Sequence, residues 1–202
     1  MPTTAEKRKA FRELHAAGCF VIPNPWDAGS ARMLQHLGFQ ALASTSAGFA
    51  WTIGQPDYRV SRAAAIAHLA LMCGAVDLPV NADFESGFSA TPEGVAESVR
   101  LAVEAGVAGL SIEDATGDSA RPLFGVAEAV ERVRAARAAI DRAGGDGHVP
   151  AVGRRAGVAT VDRLAADEEV GGRGGVDAVS YRHLTLPTIY PVEISVVGVS
   201  VH

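Results

Sequence analysis

The most constraining feature of this chain is a rhythm. From Cys19 to about Asp177, short apolar runs alternate with longer stretches of helical periodicity. Cys19-Phe-Val-Ile-Pro-Asn-Pro is the first strand candidate. Asp27 caps a helix over 31–36, which Gly38 closes. A second apolar run covers 39–46 and ends in small residues. Ser61 is placed to cap a helix reaching Ala75, with Ile66, Leu69, Leu71 and Met72 as its apolar positions. A third strand follows at 78–83, and Thr91-Pro-Glu-Gly starts the next helix with a Thr cap, Pro at the first helical position and an acidic first turn. A fourth strand is expected at 107–112. A helix then runs over 127–143, with Arg134 and Arg137 on one face and Val130 and Val133 on the other. Strands at 149–152 and 176–179 complete the pattern.

Strands separated by helices at this spacing imply βα units and a parallel sheet. No Gly-x-Gly-x-x-Gly follows the first strand, which argues against a dinucleotide fold. A (β/α)8 barrel suits the pattern better, but it needs eight strands and about 250 residues. This chain has 202 residues and five or six strands. The expectation is therefore an incomplete TIM-type α/β barrel of five to six βα units.

Composition narrows the function. The net charge is −5, from 18 basic and 23 acidic residues. Without a basic stripe, a nucleic-acid or anionic-membrane surface is not expected. No apolar run has the length of a membrane span, and the charged N-terminus is not a secretory signal. The two cysteines, Cys19 and Cys73, form no motif, as expected of a reducing, cytoplasmic setting.

A parallel barrel builds its active site at the C-terminal ends of its strands. Those ends are Trp26-Asp27, Ser44-Thr-Ser-Ala-Gly, Asp83-Phe-Glu85-Ser-Gly, Glu113-Asp114 and Arg154-Arg155. Asp83, Glu85 and Glu113 are hard oxygen ligands, suited to Mg²⁺ with its waters and substrate oxygens. No His or Cys lies among them, so zinc is not expected. Gly87 permits a close backbone approach beside Asp83, whereas Asp114 reads better as a helix cap. The 44–48 segment could offer backbone N–H groups to a carboxylate or phosphate, and Arg154 could clamp a carboxylate bidentately. His15, His36, His68 and His148 have no partner at ligand spacing and read as structural.

Four motifs taken together carry a resemblance: Asn24-Pro-Trp-Asp-Ala-Gly-Ser-Ala, Ser44-Thr-Ser-Ala-Gly-Phe-Ala, Asn81-Ala-Asp-Phe-Glu-Ser-Gly-Phe and Ser111-Ile-Glu-Asp-Ala-Thr-Gly-Asp. In order and spacing, over residues 8–154, the chain resembles the isocitrate lyase/phosphoenolpyruvate mutase superfamily. The resemblance implies an α/β barrel that makes or breaks C–C or P–C bonds in 2-oxo-acid chemistry around Mg²⁺. It implies Asp83 as principal metal ligand, with Glu85 and Glu113 acting directly or through water. Thr45, Ser46 and Ala47 would hold the substrate carboxylate, Asp57 would sit near the metal's water shell, and Arg154 would steady the substrate. Asp57 and Arg154 are thus the implied catalytic side chains. The implied substrate is a small 2-oxo acid or a phosphonate, and full-length relatives are implied to be homotetramers that exchange a C-terminal helix.

The sequence departs from that family in three places. The lyases' Lys-Cys-Gly-His loop is replaced by Ala115-Thr-Gly-Asp-Ser-Ala-Arg-Pro-Leu-Phe, so cleavage of isocitrate itself is not expected. After Arg154 stand Arg155-Ala156-Gly157 where the family has Ala or Thr and then an acid, as a reading-frame slip would produce. Beyond Val179 alanine is absent and Gly198 is the only glycine. This last stretch resembles no part of the family and reads as translated adapter read-through. The expected division is a partial catalytic barrel over 1–179 and a non-native tail over 180–202. Two alternatives stay open: a catalytically inactive barrel fragment, or a Mg²⁺-dependent aldolase-type barrel. A Schiff-base aldolase is disfavoured, because Lys7 and Lys9 are the only lysines and both precede the first strand.

Overall fold

The computed structural model describes residues 1–16 and 18–143 and, as strand backbone, 151–154, 180–185 and 193–198. Helix α1 (Thr4–His15) opens with a capping box: the Thr3 hydroxyl accepts from the Glu6 N–H while the Glu6 carboxylate accepts from the Thr3 N–H. Strand β1 (Cys19–Pro23) and helix α2 (Ala28–His36) follow, with Asp27 capping α2. Strand β2 (Leu42–Ala43) leads into a short helix, α3 (Ser46–Thr52), that the sequence pattern did not announce. Thr45 is its cap, so the small residues read as a loop are a helix start. Next come α4 (Arg62–Ala75), β3 (Val80–Asp83), α5 (Pro92–Glu104), β4 (Gly109–Glu113), α6 (Val126–Ala143) and β5 (Ala151–Arg154). Ser61 and Thr91 cap α4 and α5 as expected.

Strands β2, β3, β4 and β5 form a parallel sheet in that order, with Asn81 beside Gly109, Asp83 beside Ser111 and Glu113 beside Arg154. The α/β, parallel-sheet expectation therefore holds. Among the described residues this sheet does not close into a ring. Strand β1 instead pairs antiparallel with β7 (Glu193–Gly198), which pairs in turn with β6 (Ser180–Thr185). Both strands lie in the stretch expected as a non-native tail. The strand expected at 176–179 lies outside the described residues.

Side chains alternate across a strand, and here the alternation sorts core from site. Leu42, Val80, Ala82, Leu110 and Ile112 face the helices and join Leu69, Met72, Val95, Val99 and Ile140 in one buried cluster. Each buried Val, Leu, Ile or Met among them contributes about 1.5–3 kcal/mol through burial. The opposite face carries Ala41 and Ala43, which pack with Phe11, Phe20, Ile22 and Ala108. Phe11 of α1 closes this face from below: a Cβ on Gly109 would stand 2.6 Å from its ring. The same face carries Asn81 level with Ala43 and, one or two pleats higher, Asp83, Ser111 and Glu113.

Two helices differ from the periodicity reading. Leu71 of α4 is exposed, and His68 takes a buried position beside Leu69, Met72 and Cys73. On α6 the buried face is Ala129, Arg132, Ala136, Ala139 and Ile140, so one arginine of this arginine-rich helix points inward.

Candidate active site

The ends of β3 and β4 and the loop between α3 and α4 bring four carboxylates, Asp57, Asp83, Glu85 and Glu113, within electrostatic reach. Asp83, half-buried at the end of β3, accepts two hydrogen bonds on Oδ2, from the Ser46 N–H and from Ser46 Oγ, both 2.8 Å long. Its own N–H donates to Ser44 Oγ at 2.9 Å. The β2 end therefore orients Asp83. This use differs from the expected one, because the Ser46 N–H serves a protein carboxylate and the Gly48 N–H donates to Thr45 Oγ1. Trp26 lies so close to Gly48 that a Cβ there would stand 2.5 Å from the indole, which explains the glycine.

Glu85 follows Asp83 in a left-handed turn. Its φ is +46°, with Gly87 at +76° and Phe88 at +56°. Positive φ is costly for residues with a Cβ, yet this conformation keeps Glu85 on the inner side. Its carbonyl accepts from the Glu113 N–H at 2.7 Å, which locks the two loops together at their base. Glu85 is only 5% exposed. Burial, and then the charges of Asp57, Asp83 and Glu113, push its pKa up to about 8. Asp57 is exposed, and its pKa is also raised, first by partial removal from water and then by Asp83.

Tyr58, which the sequence reading passed over, belongs to this group. It adopts φ +59° and donates its hydroxyl proton to Glu113 Oε2. Burial and the Glu113 carboxylate push the phenol's pKa up, so it stays a donor. Gly117, with φ +73°, leaves room for the ring: a Cβ there would stand 3.0 Å from it. The only advance signal for Tyr58 was its place next to Asp57.

A small open cleft lies beside these groups, and Thr45, Ser46, Phe49, His68, Asp83 and Glu85 are among its walls. His68 stacks on Phe49 with ring centres 3.9 Å apart, and its buried Nε2 has no partner among the described residues. Ala47 is half-buried next to Ser46. Arg154 is placed by backbone register alone, beside Glu113; its side chain lies outside the described atoms. The 115–124 loop is fastened to itself. Ala115 and Leu123 form an antiparallel bridge, and the Thr116 N–H donates to Pro122 O at 3.0 Å.

Among the described residues, no three side chains of His, Cys, Asp or Glu already converge on a common point as metal ligands. The acidic group as a whole still fits Mg²⁺, which binds one or two carboxylates and keeps several waters. The mutual repulsion around Glu85 is what such a cation would relieve.

Comparison with known proteins supplies the family. The phosphoenolpyruvate phosphomutase family matches residues 11–152. The chain belongs to that family. It is 37% identical over 111 residues to an uncharacterised Mycobacterium tuberculosis protein, covering 54% of this chain and 42% of that one. With the 2-methylisocitrate lyase of Escherichia coli it shares 31% identity over 139 residues, 66% of this chain and 47% of the enzyme. A crystal structure from Burkholderia cenocepacia J2315, described as a lyase/mutase, superposes with a TM-score of 0.71 at 48% identity, covering 75% of this chain and 54% of that one. The chain thus spans about half the length of these relatives. Among the described residues no helix is long and apolar enough to cross a membrane.

Proposed function

We propose that this chain carries the metal and substrate site of a Mg²⁺-dependent lyase or mutase acting on a small 2-oxo acid or its adduct, within an α/β-barrel architecture. One observation carries the reading: Asp57, Asp83, Glu85 and Glu113 interact at the strand ends, and Glu85 is buried there with its pKa near 8. So costly an arrangement of like charges makes sense as a cation site. Family membership supports this class of chemistry.

In this reading Asp83 holds Mg²⁺, and Glu85 and Glu113 act directly or through its water. When bound, the ion would draw charge from the carboxylate and keto oxygens of the substrate and so stabilise an enolate. The protein's own part is orientation. Ser46 fixes the Asp83 carboxylate, and Tyr58 fixes that of Glu113. Thr45, Ser46 and Ala47 would border the substrate carboxylate, with Ser46 shared between it and Asp83, to which its N–H and hydroxyl donate in the metal-free chain; Asp57 would border the metal's water, and Arg154 would steady the substrate. Because the 115–124 loop offers no cysteine or lysine, the preferred substrates are a phosphonate or an oxaloacetate-like acid, not isocitrate.

The test is Mg²⁺-dependent turnover of oxaloacetate, phosphonopyruvate and 2-methylisocitrate, with products followed by NMR and rates normalised to folded protein. Asp83→Asn is expected to lower kcat/KM about 100-fold or more for whichever substrate turns over. A loss of only a few-fold would remove Asp83 from the metal site. A second reading, a catalytically inactive fragment, is favoured by the pairing of β1 with antiparallel β7 where a parallel neighbour was expected. Absence of turnover in chain shown to be folded would select it.

A further inference from the structure

Arg132 is the largest fully buried side chain of the described residues, 1% exposed in the middle of α6. A buried guanidinium is costly unless its N–H groups are used. Its hydrogen bonds go to backbone carbonyls and not to a carboxylate. Nη1 donates to Ser89 O at 2.6 Å and Nη2 donates to Ser86 O. Its planar face lies over the Phe124 ring, 3.9 Å from the centroid, a favourable cation–π geometry.

These contacts select two loops. Ser86 and Ser89 flank Gly87 and Phe88 in the β3–α5 loop, which holds Glu85, Gly87 and Phe88 at positive φ. Phe124 belongs to the β4–α6 loop that begins at Glu113, and its N–H donates to Asp114 O at 2.8 Å. One end of this assembly is the Glu85–Glu113 backbone hydrogen bond, and the other is Arg132. Strained non-glycine turns persist only where surrounding contacts over-determine them. The guanidinium supplies such contacts from behind, where neither water nor substrate reaches.

We infer that Arg132 is a positioning residue of the metal site: by clamping the β3–α5 loop and stacking on the β4–α6 loop, it sets the spacing of Glu85 and Glu113 and hence the affinity for a divalent cation. The inference rests on the reading that the acidic group binds Mg²⁺. It predicts that affinity follows a side chain that touches no ligand.

Mn²⁺ is a suitable probe, since free and bound ion are separated by EPR in the full chain without any substrate. Arg132→Lys keeps a charge but loses the two-carbonyl fork and the flat stacking face. It is expected to weaken Mn²⁺ binding about tenfold or more and to speed amide exchange over 84–89. Phe124→Leu removes the stacking partner alone and should weaken binding a few-fold. Ile140→Val thins the core about two turns further along the same helix; it should lower Tm while leaving the Mn²⁺ affinity within about twofold. Folded Arg132→Lys and Phe124→Leu proteins that bind Mn²⁺ as tightly as the parent would overturn the proposal. So would Ile140→Val weakening it equally, since that would mark a general stability effect. If Arg132→Lys does not fold, Phe124→Leu decides. Failure of the parent chain to bind Mn²⁺, or an Asp83→Asn protein binding it unchanged, overturns instead the metal reading beneath.

Discussion

At the scale of single residues, Glu85 makes the site's character measurable. Its pKa rises from an ordinary 4.5 to about 8 in the folded chain, so the metal-free fold holds a proton that the unfolded chain releases. By linkage, the stability this proton accompanies is full below about pH 4.5 and is lost as the pH rises through 8. Glu85→Gln mimics the protonated form. It should raise the metal-free Tm at pH 8 by about 3 °C or more, leave Tm at pH 5 almost unchanged, and flatten the pH dependence between. Equal Tm gains at both pH values would mean that Glu85 is not a buried acid. Asp83, Glu85 and Glu113 were singled out in the sequence because they stand at or just after strand ends, and Gly87 marks the turn beside Asp83. Tyr58 and Arg132 were not. Which carbonyl a guanidinium reaches 43 or 46 residues away leaves no trace in local spacing, and an arginine in an arginine-rich helix reads as solvated.

At the scale of elements, the caps were the most readable part. Asp27, Ser61 and Thr91 cap through bonds spanning three residues, so the whole interaction sits in a short window of sequence. Helix α3 was missed because Thr45 and its small followers satisfy a loop pattern equally well. Helix α1 hides more. Lys7 Nζ donates to Cys73 O and Val76 O at 2.8 and 2.5 Å, closing the C-terminal end of α4. Arg8 does the same for α5, through Val103 O at 2.8 Å and Val107 O at 3.1 Å. Positive charge at helix C-termini is favourable in itself, and here it also hydrogen-bonds carbonyls at the helix ends. Lys7→Met should cost about 1–3 kcal/mol, because it strands two buried acceptors. Lys9, exposed and paired with Glu13, is the matched comparison: Lys9→Met should change stability by no more than about 0.5 kcal/mol. Urea unfolding of the two variants decides the point, and equal losses would deny α1 its role as a clamp.

At the scale of the whole molecule, the two faces of the parallel sheet have different needs. The helix-facing side is a continuous apolar core from Leu42 to Ile112 and requires no ion. The inner face is apolar only at its base, around Phe11 and Ile22, and its upper rim gathers carboxylates delivered by β3, by β4 and by the loop at Asp57. A divalent cation would thus tie the loop at Asp57 to the ends of β3 and β4, and binding to the folded chain alone must raise its stability by mass action. At a concentration 100 times Kd the gain is about 2.7 kcal/mol, which for a chain of this size is a rise of roughly 5–11 °C in Tm. The rise should disappear with EDTA and in Asp83→Asn. It should also shrink as the pH falls below about 8, because the ion must then displace the Glu85 proton before it binds. A thermal scan across Mg²⁺ concentrations at pH 6 and pH 8 tests all of this together. A Tm indifferent to Mg²⁺ at both pH values would falsify the cation site, whereas an equal rise at both, retained in Asp83→Asn, would place the binding elsewhere on the chain.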